Sequence, residues 1–219
     1  MQKIMFKDRY GLTKAVLEGR KTMTRRVVPE KLIESYCDYN DYVNAVAPRD
    51  IPCSREYEEE FFLRRSRYKV GDIVAVAQSY GAIVDELEDP RNFSCMEHWE
   101  SKSSDRAKFA EMAMYSPGGT NKMFVLAEEM PHQIRITNVR VERLQDISDE
   151  DSLREGISKS SAPGQYYVDG LQRPMHNDGV LRSFTSPRDA FAALIDRMSG
   201  KGTWASNPWV FVYEFELVK

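Results

Sequence analysis

The segment Gly19-Arg20-Lys21-Thr22-Met23-Thr24-Arg25-Arg26 places four cations and two threonine hydroxyls in eight consecutive residues. The whole chain of 219 residues carries 31 Lys and Arg against 34 Asp and Glu, a formal net charge of −3. A basic cluster in an acidic chain creates a local field, and ligand binding follows the local field more than the total charge. Arginine suits phosphate or the edge of a base, because its planar guanidinium presents a fork of donors. Arg20, Lys21, Arg25 and Arg26 are therefore candidates for an anion-binding surface. Arg135, on a later β-rich run, is a further candidate cation.

Other residues with chemical potential are sparser. Trp204 and Trp209 flank Ala205-Ser206-Asn207-Pro208, and stacking of a base on an aromatic ring is worth about 1–3 kcal/mol. Trp209 lies in a dense apolar run and reads as core. Trp204 follows a Gly-rich turn and is the contact candidate, with Tyr166 and Tyr167 as candidate rim aromatics. Cys37, Cys53 and Cys95 form no CxxC pair, and their odd number argues against a disulfide framework. A reducing, cytoplasmic setting is expected. His98, His132 and His176 lack metal-ligand spacing, so no metal or other cofactor is expected. Ser79 has no Gly-x-Ser-x-Gly context, and Gly200-Lys201-Gly202-Thr203 lacks the upstream glycine of a phosphate loop. The apolar runs, such as residues 73–77, are too short to span a bilayer, and the charged N-terminus is unlike a signal peptide. No membrane partner is expected.

These residues need elements to position them. Residues 3–6 read as a short strand, and 9–19 as a helix with Leu12, Ala15 and Val16 on one face and Gly19 as its C-terminal cap. Residues 22–28, 70–80, 133–144 and 208–218 read as strands from their β-branched and aromatic content. In the third of these the apolar alternation changes step near Thr137-Asn138, which calls for a bulge. Ser148 caps a helix that Gly156 closes, and Ser186-Pro187 starts another that Gly200 ends. Phe191, Leu194, Ile195 and Met198 form the inward stripe of that last helix. Residues 30–67, 84–122 and 158–185 read as insertions or long loops on a β-rich core, with helical character in 55–67.

Four blocks now stand in order: residues 17–28, 68–76, 130–157 and 202–218. Together, covering 66 of the 219 residues, they resemble the ASCH domain family, in particular its longer phage- and bacterium-associated members. The resemblance implies an α+β fold: one PUA-like twisted β-barrel over 1–219, with flanking helices and the three insertions. It also implies a cleft for RNA or a modified nucleoside. One bacterial branch of the family looks like an N4-acetylcytidine amidohydrolase. Its Gly-x-Lys-Thr-x-Thr segment falls on residues 19–24, and its helix-terminal glutamate on Glu155. By that resemblance Lys21 is the base, Thr24 the nucleophile and Glu155 the residue that helps protonate the leaving amine. The chain also departs from the longer members: a Trp-Val-Arg-Glu-like run is replaced by Ala75-Val76-Ala77-Gln78.

The physical demands of that chemistry are definite. Threonine attacks only when a neighbour takes its proton, and lysine does so only with a lowered pKa. In a regular strand Lys21 and Thr24 would face opposite ways, so Lys21 must sit in the turn before the strand. Glu155, in the last turn of its helix, meets the negative end of the helix dipole and needs a cation opposite. The plainer reading is that the cations are partners of Glu142, Asp146 or Glu150, the threonines are ordinary strand residues, and Glu155 is a surface charge. Three functions follow: a binding domain for RNA or a modified nucleoside, an amidohydrolase acting on N4-acylcytosine, or an interaction module whose insertions bind protein.

Overall fold

The structure, a computed structural model, describes residues 1–46, 55–88, 105–171 and 183–218. Cys53, Cys95, His98 and His176 lie outside the described residues. The strands are β1 (Gln2–Ile4), β2 (Met23–Val27), β3 (Ile73–Val76), β4 (Gln133–Arg143), β5 (Ser158–Lys159), β6 (Tyr166–Tyr167) and β7 (Trp209–Val218). Five of them make one mixed sheet in the order β1-β3-β4-β7-β2, while β5 and β6 pair separately. β1 runs parallel to β3, and the other neighbours of the large sheet are antiparallel. All four expected β-rich runs therefore share one sheet. The step in β4 is a register shift against β7 between Ile136 and Asn138. It lets Ile134, Ile136, Val139 and Val141 all reach the same core.

The α+β class is as expected, but the sheet is not closed into a barrel. β1 and β2 are its edges, and no backbone ladder joins them. Both are short, at three and five residues. What spans the gap is a side chain: Arg26 Nη2 donates to the Met5 carbonyl at 2.5 Å.

β3 is buried on both faces. Val74 and Val76 enter the main core, while Ala75 and Ala77 enter a second cluster with Tyr80, Ile83, Phe109, Val125 and Met130. That cluster is built largely by two helices, α4 (Tyr80–Glu88) and α5 (Asp105–Tyr115). Small side chains at 75 and 77 are what allow these helices to sit on the sheet, which gives the Ala-Val-Ala run a packing role. The 84–122 insertion is thus a packed layer over its described part. Its turn is tight enough that a Cβ on Gly119 would lie 2.2 Å from the Ala113 carbonyl oxygen.

The 30–67 insertion is likewise mostly helical where described, as α2 (Glu30–Val46) and α3 (Arg55–Arg64). Tyr36, Phe61 and Phe62 pack as a ring cluster, and Phe62 meets Trp209 at 6.1 Å between centroids. Trp209 is core, as its sequence context indicates. The remaining helices are α1 (Leu12–Leu17), α6 (Asp149–Arg154), α7 (Pro187–Ser199) and α8 (Thr203–Ser206). The caps form as read: Ser148 accepts from the Asp151 amide and Ser186 from the Asp189 amide, each at 3.0 Å. Among the described residues no helix is long and apolar enough to cross a membrane.

Candidate ligand-binding site

Gly19 ends the turn after α1 with φ +71°, and the Lys21 amide then donates to the Ala15 carbonyl at 2.9 Å. Lys21 therefore precedes β2, and the alternation of the strand does not govern its direction. Across from it α6 ends at Glu155, where Gly156 reverses the chain with φ +100°. Lys21 Nζ donates to the Glu155 carbonyl at 2.7 Å and to its Oε2 at 2.6 Å. Both side chains are buried, 2% and 4% exposed. A helix C-terminus presents free carbonyls and the negative end of the dipole, so one ammonium answers carbonyl and carboxylate together. Burial pulls the Lys21 ammonium below the ordinary lysine value. Glu155 opposes that shift, and Arg26 and Arg25 add to it.

The two arginines that follow diverge. The Arg25 side chain is fully enclosed and bonded to Glu142 at 2.7 Å, Asp151 at 2.8 Å and Glu155 at 3.2 Å. The network continues through Arg140 to Asp151 and Glu142, and through Arg154 to Glu214. Against the upward push of burial, Arg154, Asn138 and Arg140 hold the Glu214 carboxyl below its usual value. For Arg25 the plainer reading of the cluster is correct, with Asp151 and Glu155 joining Glu142 as partners. Arg26, on the other face of β2, bonds the Met5 carbonyl and stands 5.8 Å from the centre of the Phe6 ring. Among the described residues it forms no ion pair. Thr24 shares its face by strand alternation, is buried, and forms no side-chain hydrogen bond among the described residues.

These side chains meet at a cavity of about 430 Å³ lined by Lys21, Thr24, Arg25 and Arg26, with Phe6, Lys7 and Lys122. Met5, Ile195 and Met198 supply apolar wall, and among the described residues no carboxylate lines it. The second insertion contributes Asn121 and Lys122. Lys3 Nζ pins this stretch to β1 by donating to the carbonyls of Lys122, Met123 and Val125 at 3.1, 2.7 and 2.7 Å.

Of the catalytic trio from the sequence, Lys21 and Glu155 are bonded, and Lys21 and Thr24 share the cavity. Lys21 Nζ makes both of its hydrogen bonds to Glu155 and none to Thr24 Oγ1. Arg20, Arg135 and Trp204 do not line the cavity. Arg20 pairs with Glu18 at 2.7 Å and Arg135 with Glu216 at 3.1 Å, both in solvent. Trp204 packs edge-on to Phe191, with Arg188 near its ring. Phe6, Lys7 and Lys122 were not singled out in the sequence. They come from segments far from residues 19–26, and only the fold brings them there.

A separate cavity of about 600 Å³ shares no lining residue with the first. Asp8, Glu18, Asp85 and Glu86 line it, which disfavours an anion. On its wall Glu86 accepts from Gln78 Nε2 at 2.7 Å and bonds His132 Nε2 at 2.6 Å. Gln78 Oε1 is buried without a hydrogen-bond partner among the described residues. No group of three or more potential metal ligands is found among the described residues. In comparisons with known proteins, the chain matches no family model, no curated protein and no solved structure.

Proposed function

We propose that the Lys21 cavity binds a nucleobase or nucleoside, free or within RNA, on an ASCH-type scaffold. In this reading the sheet is a PUA-like barrel left open between β1 and β2, with Arg26 bridging the opening. The observation that carries the reading is a cavity walled by cations with no carboxylate among the described residues, in a chain of net charge −3. Inside it the Thr24 hydroxyl has hydrogen-bonding capacity to offer. So does the ammonium of Lys21, with two of its three donors engaged by Glu155. Phe6 and Met198 offer apolar contact to a ring. The test is calorimetric titration of cytidine and N4-acetylcytidine into wild type and Thr24→Val. Loss of one hydrogen bond of about 1 kcal/mol weakens binding roughly fivefold. Equal affinity for both proteins removes Thr24 from the site, and no binding of either nucleoside by folded wild type overturns the reading.

A second reading, amidohydrolysis, is favoured by the lowered pKa of Lys21, which bonds Glu155 and lines the cavity together with Thr24. Thr24 Oγ1 would attack the acyl carbon while Lys21 takes the hydroxyl proton. Glu155 would relay a proton to the departing amine, and water would then release the acyl group from Thr24. Lys21 must turn from Glu155 towards Thr24 for the first step. Conversion of N4-acetylcytidine to cytidine by wild type and not by Thr24→Val supports this reading; binding without turnover rejects it and keeps the first. The interaction-module reading rests on exposed Met114, Tyr115, Phe124 and Leu126. Individual exposed apolar side chains are ordinary on protein surfaces, so it ranks below the other two.

A further inference from the structure

The Arg26 bridge has a second side. A groove of about 340 Å³ lies there, and it shares Met5, Arg26 and Val27 with the Lys21 cavity. Its cations include Arg65 and Arg67, from the turn after α3, and among the described residues no carboxylate lines it. Arg26, Arg65 and Arg67 are exposed, and none forms an ion pair among the described residues. The guanidinium of Arg65 lies over the Phe61 ring at 3.7 Å, and that of Arg67 over the Tyr68 ring at 5.3 Å. Stacking occupies a guanidinium face and leaves its edge donors available. Each arginine has five such donors, and Arg26 and Arg65 each give one to a backbone carbonyl. The floor holds Tyr68 and Tyr213, both buried and with hydroxyls already bonded.

Cations gathered in one groove repel each other, and an anion placed among them removes that repulsion. The arginines of the Lys21 side, Arg25, Arg140 and Arg154, are answered by carboxylates; among the described residues, the three in this groove are not. We infer that this groove holds the phosphates flanking a base seated in the Lys21 cavity, so that the full ligand is a single-stranded nucleic acid. The inference rests on the nucleobase reading of that cavity. A strand fits because a base must leave its stack to enter a cavity, while its backbone runs on over the rim. Arg26 stands where base site and backbone site join, and Arg65 and Arg67 extend the track.

The test compares cytidine and a five-nucleotide cytidine-containing RNA. Each is titrated at several salt concentrations into wild type and the double variant Arg65→Ala/Arg67→Ala, whose folding is checked by thermal unfolding. The expected result is an unchanged cytidine affinity, weaker RNA binding, and a log K against log salt slope shallower by about 1.4, two phosphate contacts' worth on a single strand. Equal RNA affinity and slope in both proteins overturns the phosphate track while cytidine binding keeps the base reading. No cytidine binding by wild type overturns the base reading, and the inference with it.

Discussion

Arg25 and Arg26 are adjacent in the sequence and opposite in circumstance. Arg25 is enclosed and answered by Glu142, Asp151 and Glu155. Arg26 points the other way from β2, meets a carbonyl and a ring, and lines two cavities. The difference follows from the twofold alternation of a strand laid between a carboxylate-rich helix terminus and an open sheet edge. A basic cluster is therefore not one functional unit. Arg25 is held by carboxylates, Arg26 forms no ion pair among the described residues, and Lys21 both pairs with Glu155 and lines the cavity.

The comparison breaks most visibly through the buried side. Removing one member of a buried, hydrogen-bonded ion pair costs about 3–5 kcal/mol, because it strands the other charge. Glu155→Ala should lose that much stability in chemical denaturation, with Arg25→Ala close behind. A loss under about 1 kcal/mol would show that neither charge is truly enclosed. Acid offers a second lever on the same network. Glu214 has a folded pKa below its unfolded one, so its stabilisation is complete above the ordinary carboxylate value of about 4.3 and disappears as pH falls through the folded value. Thermal unfolding followed from pH 6 downward should show this loss in wild type and a smaller one in Glu214→Gln.

The open side predicts the reverse pattern. Arg26→Ala should change stability little but flatten the salt dependence of RNA binding by about 0.7. Equal slopes would place Arg26 outside the ligand site. If the amidohydrolase reading holds, turnover should rise with pH as Lys21 loses its proton and level off below the ordinary lysine value of 10.5. The smallest effects belong to Arg20→Ala and Arg135→Ala. Their solvent-exposed pairs are worth about 0–1 kcal/mol, and both lie off the cavity. Binding and unfolding of these variants should match wild type.

What the sequence disclosed was local. The caps at Ser148 and Ser186, the turn at Gly19 that takes Lys21 out of the strand, and the step near Thr137 are each set by a few neighbouring residues. The meeting of Lys21 with Glu155 came from a family resemblance, because 134 residues separate them. The barrel did not close, since closure depends on how short edge strands meet at long range. Ala75 and Ala77 stood out in the sequence only as a departure from a Trp-Val-Arg-Glu-like run; in the fold they are packing sites for α4 and α5. Arg65 and Arg67 were legible only as charges at the end of a helical run. The role inferred for them depends on β1 and β2 leaving a gap, which no local pattern reports.

The most direct test of the central claim is an amide chemical-shift map of the isotopically labelled protein titrated with cytidine. The account predicts saturable shifts at residues 6–7, 21–26 and 121–123, around the Lys21 cavity. It predicts none at Gln78, Glu86 and His132, on the acidic cavity. Shifts confined to those three residues, or no shifts at saturating nucleoside, would contradict it.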